Sequence, residues 1–349
     1  MTSMTTATDD KALQRYRRLA WITLAAVYFL ILVGGSVRAS GAGMGCPDWP
    51  TCFGTWIPPT TESQLPSNYQ EIYAELGYAD TRFNVVKTWT EYTNRLIGVT
   101  IGFLIFLTAI YSWPCRAHDP SIFKASGAAF LMVGFQGWLG AKVVGSNLQP
   151  GLITIHMLMA LAIVATLLFA LAQSRRGIME SQPVSSIDSR FEKWLYIVLG
   201  FTVVQVAMGT QVREMTDFIR EAQGEGLRSS WVEAMPWFFY VHRSFSAIVL
   251  FSNLWLARML IISLGWQHTL TRLTLVMIGV IGISVLSGAA LGHLGMPAFI
   301  QPTHLLAASL LFGLQFLIWM SYRHSRDSSP TDTNSPVGSG ALERGQPAT

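Results

Sequence analysis

The sequence predicts an all-α polytopic membrane protein with eight transmembrane helices. Of its 349 residues, 51% are hydrophobic and only 13% are charged, whereas soluble domains carry about 25% charged residues. Eight apolar runs are each long enough to cross about 30 Å of hydrocarbon. These runs lie near residues 19–37, 92–112, 125–145, 152–173, 194–212, 237–258, 273–293 and 302–322.

Positively charged residues predict that both termini lie in the cytoplasm. Residues 1–18 contain four basic side chains just before the first run, which is too long for a signal-peptide core and lacks a cleavage site. Lys and Arg are also more frequent in the segments that a cytoplasmic N-terminus places inside, as the positive-inside rule requires. Topology therefore accounts for the net charge of +4, and this charge gives no support for nucleic-acid binding.

The spacing of the runs divides the chain into two halves of four spans each. Residues 19–173 form the first half, which includes an outer loop at 39–88, and residues 194–322 form the second half. A polar linker at 174–193 separates them on the cytoplasmic side. Residues 323–349 are rich in Ser, Pro, Thr and Gly, a composition that predicts a disordered cytoplasmic tail.

The two halves match one another element by element. The first span ends in VGGSVR and the fifth in MGTQVR, so each has a glycine followed three residues later by Val-Arg. Spans that are four apart run in the same direction, and we therefore expect two repeated four-helix bundles related about the membrane normal. Polar anchors recur near the start of the even-numbered spans, at Asn94-Arg95, His156, His242-Arg243 and His304.

The anchors of the second half predict a haem site. His242 and His304 begin spans of the same direction, so they lie at similar depth toward the outer leaflet and can face each other. Two neutral imidazoles on facing helices are common axial ligands of a b-type haem iron. A single intramembrane histidine can also be a hydrogen-bonded packing residue, but the matched pair favours iron ligation. Arg243 either contacts a haem propionate or extends its guanidinium toward the interface.

The anchors of the first half have different chemistry. Asn94 stands where the repeat predicts a histidine, and Glu91 lies one turn before it on the same helix face. The second half has Phe239 in the place of Glu91. The first half is therefore predicted to hold a haem-sized site with an ionisable carboxylate that can move protons; the alternative interpretation of Glu91 is an interfacial carboxylate paired with Lys87 or Arg95.

Two cysteines lie in the outer loop, in the segment GAGMGCPDWPTCFG. This compartment permits disulfides, and a structural disulfide between Cys46 and Cys52 is favoured. A thiol pair that cycles between redox states and a free pair remain open. Two cysteines alone make a poor metal site. Cys115 is interpreted as an uninvolved thiol at a cytoplasmic helix end.

In these motifs the chain resembles the haem A synthase family of membrane oxidases. The E-x-x-[H/N]-R motif, the histidine of the fourth span, the VHR of the sixth and the PTH of the eighth follow the family's order. The CPDWPTC loop is similar to the family's outer cysteine-pair loop. The resemblance covers about residues 15–325. It rests on Glu91, Asn94, Arg95, His156, His242, Arg243 and His304, together with Cys46 and Cys52.

The resemblance implies an oxidoreductase that converts one ring methyl of haem O to a formyl group. The oxidation is stepwise, through an alcohol and a hydrated aldehyde, and supplies haem A to terminal oxidases. His242 and His304 are implied to be the axial ligands of a haem b iron that carries electrons. The cell location implied is the bacterial cytoplasmic (inner) membrane, with both termini in the cytoplasm and the haem sites toward the outer leaflet.

The resemblance also implies roles for the first half. The substrate haem would be bound by His156, Asn94 and Arg95, and Glu91 would be the catalytic carboxylate. Family members often have histidine at the position of Asn94, so this chain has either an open iron position or a weak Asn94 contact. Haem O synthase is a candidate partner besides membrane lipid, the electron acceptor is not identified, and a homo-oligomer is left open.

Two other classes of protein would use the same histidines. A di-haem b-type electron-transfer protein, such as a quinol oxidoreductase subunit, would leave its haems unmodified. A haem-carrying assembly factor would perform no chemistry. The missing fourth histidine and the presence of Glu91 argue against the electron-transfer protein.

Overall fold

Eight long helices form the architecture of the chain. The computed structural model describes residues 2–177, 184, 187–188 and 190–327. Among these residues, eight helices are long and apolar enough to cross a membrane, which confirms the predicted fold class. We number them α1 (Thr2–Ala39), α2 (Val85–Ser112), α3 (Pro120–Gly145), α4 (Pro150–Ser174), α5 (Phe191–Gln223), α6 (Trp237–Leu264), α7 (Thr269–His293) and α8 (Ile300–Asp327).

Short helical turns occupy the loops between these helices. The outer loop after α1 contains two 3-10 turns and a single α-helical turn, and further 3-10 turns precede α3 and α6. They span Glu62–Gln64, Tyr69–Ile72, Ala74–Leu76, Pro114–Ala117 and Glu225–Ser230.

Three helices, α1, α2 and α5, are clearly longer than their apolar runs predicted, and α1 begins at Thr2 rather than near residue 19. Helix α2 begins at Val85 because Asn84 caps it, its side-chain oxygen accepting a hydrogen bond from the Lys87 amide at 3.0 Å. Helix α5 continues past residue 212 to Gln223. Its last turns carry charged side chains, so hydropathy alone places the end of the helix too early.

The boundaries of the predicted tail and linker are only partly covered by the structure. Helix α8 continues to Asp327, so helix extends into the first residues of the segment predicted as a tail. Residues 328–349 lie outside the described residues, and so do 178–183 in the linker. The predictions made for those residues remain predictions.

Each half of the chain buries an apolar core of its own. The first core lies among α1 to α4 and includes Tyr16, Ile105 and Val164. The second lies among α5 to α8 and includes Phe191 and Met277. Leu161 of α4, Val206 of α5 and Phe312 of α8 join the two halves in a smaller shared cluster.

The helices of the two halves have matching neighbours. Helix α1 packs against α2 as α5 packs against α6, and α3 packs against α4 as α7 packs against α8. Helices α4 and α8 contact each other where the halves meet. The description as two repeated bundles remains a prediction, and this pattern of neighbours supports it.

The outer loop folds over the first half around its own aromatic cluster. Phe53 makes edge-on contacts with the rings of Tyr69, Tyr73 and Tyr78. Burial raises the pKa of the Tyr78 phenol above its ordinary value. The phenol therefore stays protonated and donates a hydrogen bond to the carbonyl of Met44 at 2.7 Å.

Candidate functional site

Each of the four polar anchors lies beside a glycine of the preceding helix. A Cβ added to that glycine would meet the anchor side chain at a distance between 3.1 and 3.9 Å, so the absence of a side chain makes room for the anchor. All four anchors are half-buried. The distances are 3.9 Å for Gly34 and Asn94 Oδ1, 3.5 Å for Gly140 and His156 Cε1, 3.4 Å for Gly209 and His242 Cε1, and 3.1 Å for Gly288 and His304 Cε1.

The ring of His304 is held through one of its two nitrogens. Its Nδ1 lies 3.0 Å from the carbonyl oxygen of Ser284 and 3.0 Å from the hydroxyl of Ser287, both on α7. Donation from Nδ1 to the carbonyl leaves Nε2 as the nitrogen with a lone pair. Metal-binding histidines are commonly oriented in this way by a partner at the second nitrogen.

His242 lies close to His304 and is held through its main chain. The charges of the two imidazoles are near enough to interact. Gln205 of α5 donates its side-chain amide to the carbonyl oxygen of His242 at 3.1 Å. The Nδ1 of His242 is buried and has no hydrogen-bond partner among the described residues. The structure therefore brings together the two histidines predicted as a haem clamp.

His156 is held in the same way as His242. Gln136 of α3 donates its side-chain amide to the carbonyl oxygen of His156 at 3.0 Å. Within the described part of the chain, the buried Nδ1 of His156 also lacks a partner. The oxygen of the Asn94 side chain is likewise buried and unpaired in that part of the chain. Both predicted substrate-site anchors thus present polar atoms that the described residues leave unsatisfied.

Glu91 is a buried carboxylate with two partners. It is 3% exposed. One oxygen accepts a hydrogen bond from the main-chain amide of Cys46 at 2.7 Å, and the other accepts from the guanidinium of Arg95, with the Arg95 Nε at 3.1 Å. The structure therefore contains the ion pair with Arg95 that was one of the alternatives for this residue, and Glu91 is not an isolated acid.

Arg95 connects this carboxylate to the outer loop. Its guanidinium donates to the carbonyl oxygens of Cys46 at 3.1 Å, Asp48 at 2.6 Å and Thr51 at 2.9 Å. The loop is closed by a disulfide between Cys46 and Cys52, as predicted. Arg95 is thus engaged by the loop, and its role in binding substrate haem remains a prediction.

Arg243 and Phe239 of the second half were also considered from the sequence. Arg243 is exposed next to His242, and the choice between a propionate contact and an outward-extended side chain stays open. Phe239, in the place of Glu91, is buried with Trp231 and Met235. No group of three or more His, Cys, Asp or Glu side chains suited to a metal ion occurs among the described residues. A haem iron held by two histidines does not require such a group.

Comparison with known protein families gives one match that covers most of the chain. The family model described as COX15-CtaA, cytochrome oxidase assembly protein, matches residues 17–316. The chain belongs to this family. All eight helices overlap the matched region, and so do all the polar anchors.

Three curated relatives are 28–30% identical to this chain over the stretches that align. A protein of Shewanella oneidensis is 28% identical over 188 residues, covering 52% of this chain and 54% of the relative. One of Methylobacterium radiotolerans is 29% identical over 214 residues, covering 57% and 56%. One of Rhodopseudomonas palustris is 30% identical over 208 residues, covering 55% and 54%. Each is named heme A synthase, and the chain spans little more than half the length of these relatives.

Two supporting residues of this COX15-CtaA protein were missed by the sequence analysis. Gln136 and Gln205 each lie four residues before the glycine that faces a histidine, in the segments QGWLG and QVAMG. The shared Q-x-x-x-G spacing could have served as a signal, because it places the glutamine and the glycine on the same face of their helix. The histidine carbonyl that each glutamine binds lies on another helix, so this contact becomes visible only in the folded structure.

Proposed function

We propose that this protein is a haem A synthase that oxidises a methyl group of haem O to a formyl group. The observation that carries the proposal is the combination of two different anchor sites in one chain of the COX15-CtaA family. In the second half His242 and His304 lie near enough for their charges to interact, while the corresponding helices of the first half carry His156, Asn94 and the buried carboxylate of Glu91. An oxidase of one haem that uses a second haem as electron carrier needs both kinds of site.

The second-half site fits a haem b with two histidine ligands. His304 has its Nδ1 bonded to Ser284, so Nε2 can ligate iron, and the buried Nδ1 of His242 still requires a partner. Gly209 and Gly288 provide the space beside the rings. His242 and His304 would hold this haem, and the bound group would supply one-electron transfer.

The first-half site fits a haem that is bound as substrate. His156 would ligate its iron, and the Asn94 side chain would face the other side. An amide oxygen is a weak iron ligand compared with imidazole, so the substrate would be held less firmly than the cofactor. Weaker retention suits a molecule that must enter and leave in every catalytic cycle.

Glu91 is the residue best placed to act as base or as stabilising charge. The Cys46 amide and Arg95 offset the cost of burying its carboxylate and fix the position of its oxygens. Its oxygens can then accept protons released as the methyl group is oxidised, or stabilise a cationic intermediate. Each of two successive oxidations would remove two electrons and two protons and add the oxygen of one water molecule, giving first the alcohol and then the hydrated aldehyde, which loses water to give the formyl group. The electrons would be taken up by an external acceptor, and the haem b that His242 and His304 would hold supplies one-electron transfer.

The proposed setting is the bacterial inner membrane with both termini in the cytoplasm. The excess of Lys and Arg in the inner segments supports this orientation. The anchors then lie toward the outer leaflet, beneath the outer loop. Haem O synthase is the proposed supplier of substrate and a terminal oxidase the consumer of product.

Haem analysis of the purified protein tests the proposal. The chain is produced in a host that makes haem O and lacks its own haem A synthase, and the haems are extracted and separated by chromatography. We expect haem A together with haem B. The Glu91→Ala variant should accumulate haem O or the alcohol while its haem B persists, with at least about a 100-fold loss of haem A.

The alternatives give different outcomes in the same experiment. Haem B alone in the wild-type preparation would support a di-haem electron-transfer protein or a haem carrier and would contradict the synthase. A normal yield of haem A from Glu91→Ala would remove Glu91 from the mechanism. The Glu91→Gln variant keeps the size of the side chain, so it separates loss of charge from loss of packing.

A further inference from the structure

A cluster of charged side chains lies where the two halves meet. Arg38 is near the end of α1, and Arg213, Asp217 and Arg220 are in the last turns of α5. Asp217 makes ion pairs with all three arginines, at 3.0 Å to Arg38, 2.6 Å to Arg213 and 3.2 Å to Arg220. Arg213 also donates to the main-chain carbonyl of Arg38 at 3.0 Å. A single carboxylate therefore joins the first half of the chain to the second.

Two of these arginines are equivalent positions of the sequence repeat. Arg38 follows Gly34 by four residues, and Arg213 follows Gly209 by four residues, in the matching segments VGGSVR and MGTQVR. Four residues of α-helix advance about 6 Å along one face. Each arginine thus lies one turn beyond the glycine that packs against an anchor side chain, Asn94 in one half and His242 in the other.

The charge of the cluster is not balanced by its own carboxylate. The three arginines and the one aspartate carry a net charge of +2, and the four side chains are only 17–23% exposed. Gly41 allows the close approach of Arg220, since it has a φ of +69° and a Cβ there would lie 3.2 Å from Nη1. Partly buried positive charges in excess are costly unless further anions approach them.

We propose that Arg38 and Arg213 each hold a carboxylate of a haem, one at the substrate site and one at the cofactor site, with Asp217 as their shared counter-ion. The inference rests on the proposed function. Haem propionates are charged, so they turn away from hydrocarbon and toward the polar end of the helices, where both arginines lie. Guanidinium groups bind carboxylates through paired hydrogen bonds, which suits this role. Through Asp217, the charge at one haem site is coupled to the charge at the other.

Charge-removing variants of the purified holoprotein test this inference. Arg213→Gln should lower the midpoint potential of haem b, because loss of a positive charge disfavours the reduced haem, and should weaken haem b retention about tenfold. Arg38→Gln should leave haem b content unchanged and reduce co-purified haem O and haem A about tenfold. Asp217→Asn should raise the potential of haem b. The readouts are redox titration followed by absorbance and haem content by chromatography.

Matched controls separate this role from a purely structural one. Arg213→Lys and Arg38→Lys keep the charge, so each should retain most of the potential or haem content that the Gln variant loses. Lower thermal stability in the Gln variants, with both haems and the potential unchanged, would overturn the inference and leave a structural clamp. The inference would also fail if vesicles of phosphatidylglycerol, added to delipidated protein, abolished the differences between Arg and Gln. Wild-type protein without a bis-histidine haem spectrum would instead contradict the proposed function.

Discussion

The second half presents two histidines where the first presents a histidine and an asparagine, although each anchor lies beside a glycine of the preceding helix. Near His242, the position one turn earlier is Phe239, buried in an apolar cluster. Near Asn94, the same position is Glu91, buried but paired with Arg95 and the Cys46 amide. Similar helix packing therefore surrounds two chemically different sites.

In the proposed function, this difference separates a site that holds a haem from a site that reacts with one. A second histidine gives a site that binds iron firmly and leaves no position for another ligand. Replacing that histidine by Asn94 weakens one ligand, and adding Glu91 supplies an acid-base group. The outer loop contacts Glu91 and Arg95 of the first half, and a disulfide closes this loop, so in the proposed function the loop covers the reacting site.

Removal of a clamp histidine is expected to have the largest effect on this comparison. His304→Ala should eliminate haem b, because loss of a supporting residue alone commonly weakens metal binding by about 10–100-fold and loss of the ligand costs more. Absorbance of the reduced purified protein measures this. The control is His293→Ala on α7, whose side chain is exposed and which should keep its haem b. A His304→Ala protein with a normal haem b spectrum would refute the clamp.

Restoring the histidine in the first half should make the two sites more alike. Asn94→His places an imidazole at the position that corresponds to His242, and we expect substrate haem to be retained at least about tenfold more tightly and turnover to fall. The ratio of haem O plus haem A to haem B in the purified protein measures retention. Asn94→Gln is the matched control, because it changes size without adding an imidazole. Equal haem ratios in the three proteins would show that position 94 does not face the iron.

Alanine substitutions at the facing glycines should rank the two sites by how tightly they are packed. A Cβ at Gly288 would lie 3.1 Å from the His304 ring, whereas one at Gly34 would lie 3.9 Å from Asn94. We expect Gly288→Ala to cost about 1–3 kcal/mol and to reduce haem b content, and Gly34→Ala to cost less than about 1 kcal/mol. Thermal unfolding and haem content measure both. The reverse order would mean that the anchors are not positioned by these contacts.

The smallest expected effect concerns the N-terminal caps of α3 and α7, which are corresponding helices of the two halves. Asp119 caps α3 by accepting from the Ser121 amide at 2.8 Å, while the Nδ1 of His268 caps α7 by accepting from the Leu270 amide at 3.2 Å. Burial lowers the pKa of His268 below its ordinary value. The cap is therefore complete above the unfolded-state pKa of about 6.5 and is lost as pH falls through the lower folded-state pKa.

This loss should amount to less than about 1 kcal/mol, the size of a single helix cap. Thermal melts of wild type and His268→Asn between about pH 7.5 and pH 4.5 measure it, because Asn caps without titrating. We expect the stability of His268→Asn relative to wild type to increase toward acid. Parallel curves for the two proteins would contradict a titrating cap.

Hydropathy and the order of the motifs predicted much of the architecture. The contacts within the sites could not be predicted in the same way, because they depend on the folded structure. The eight spans follow from composition because each must match the thickness of hydrocarbon. The end of α5 was placed too early because Arg213, Asp217 and Arg220 interrupt the apolar run within a continuing helix. The proximity of His242 and His304 was expected from their matched places in spans of the same direction, whereas their ligation of one iron remains a prediction.

The surroundings of Glu91 show which kind of contact the sequence alone could not predict. Helical spacing offered Arg95 as a partner, since residues four apart share a helix face. It could not indicate the Cys46 amide, which lies 45 residues earlier in the chain, because loop conformation fixes that contact. The same limit applies to the ion pair of Arg38 with Asp217, which joins residues from different halves.

Gln136 and Gln205 bind the main-chain carbonyl of a histidine and leave its ring untouched. The positions of α4 and α6 are therefore secured whichever side chain occupies the anchor position. The main-chain hydrogen bond fixes the helix independently of the anchor side chain, so a binding site can be converted into a reaction site by exchanging the anchor residue and the residue one turn before it. It also makes His242→Gly a natural candidate for chemical rescue, with free imidazole from solution filling the space that the missing ring leaves.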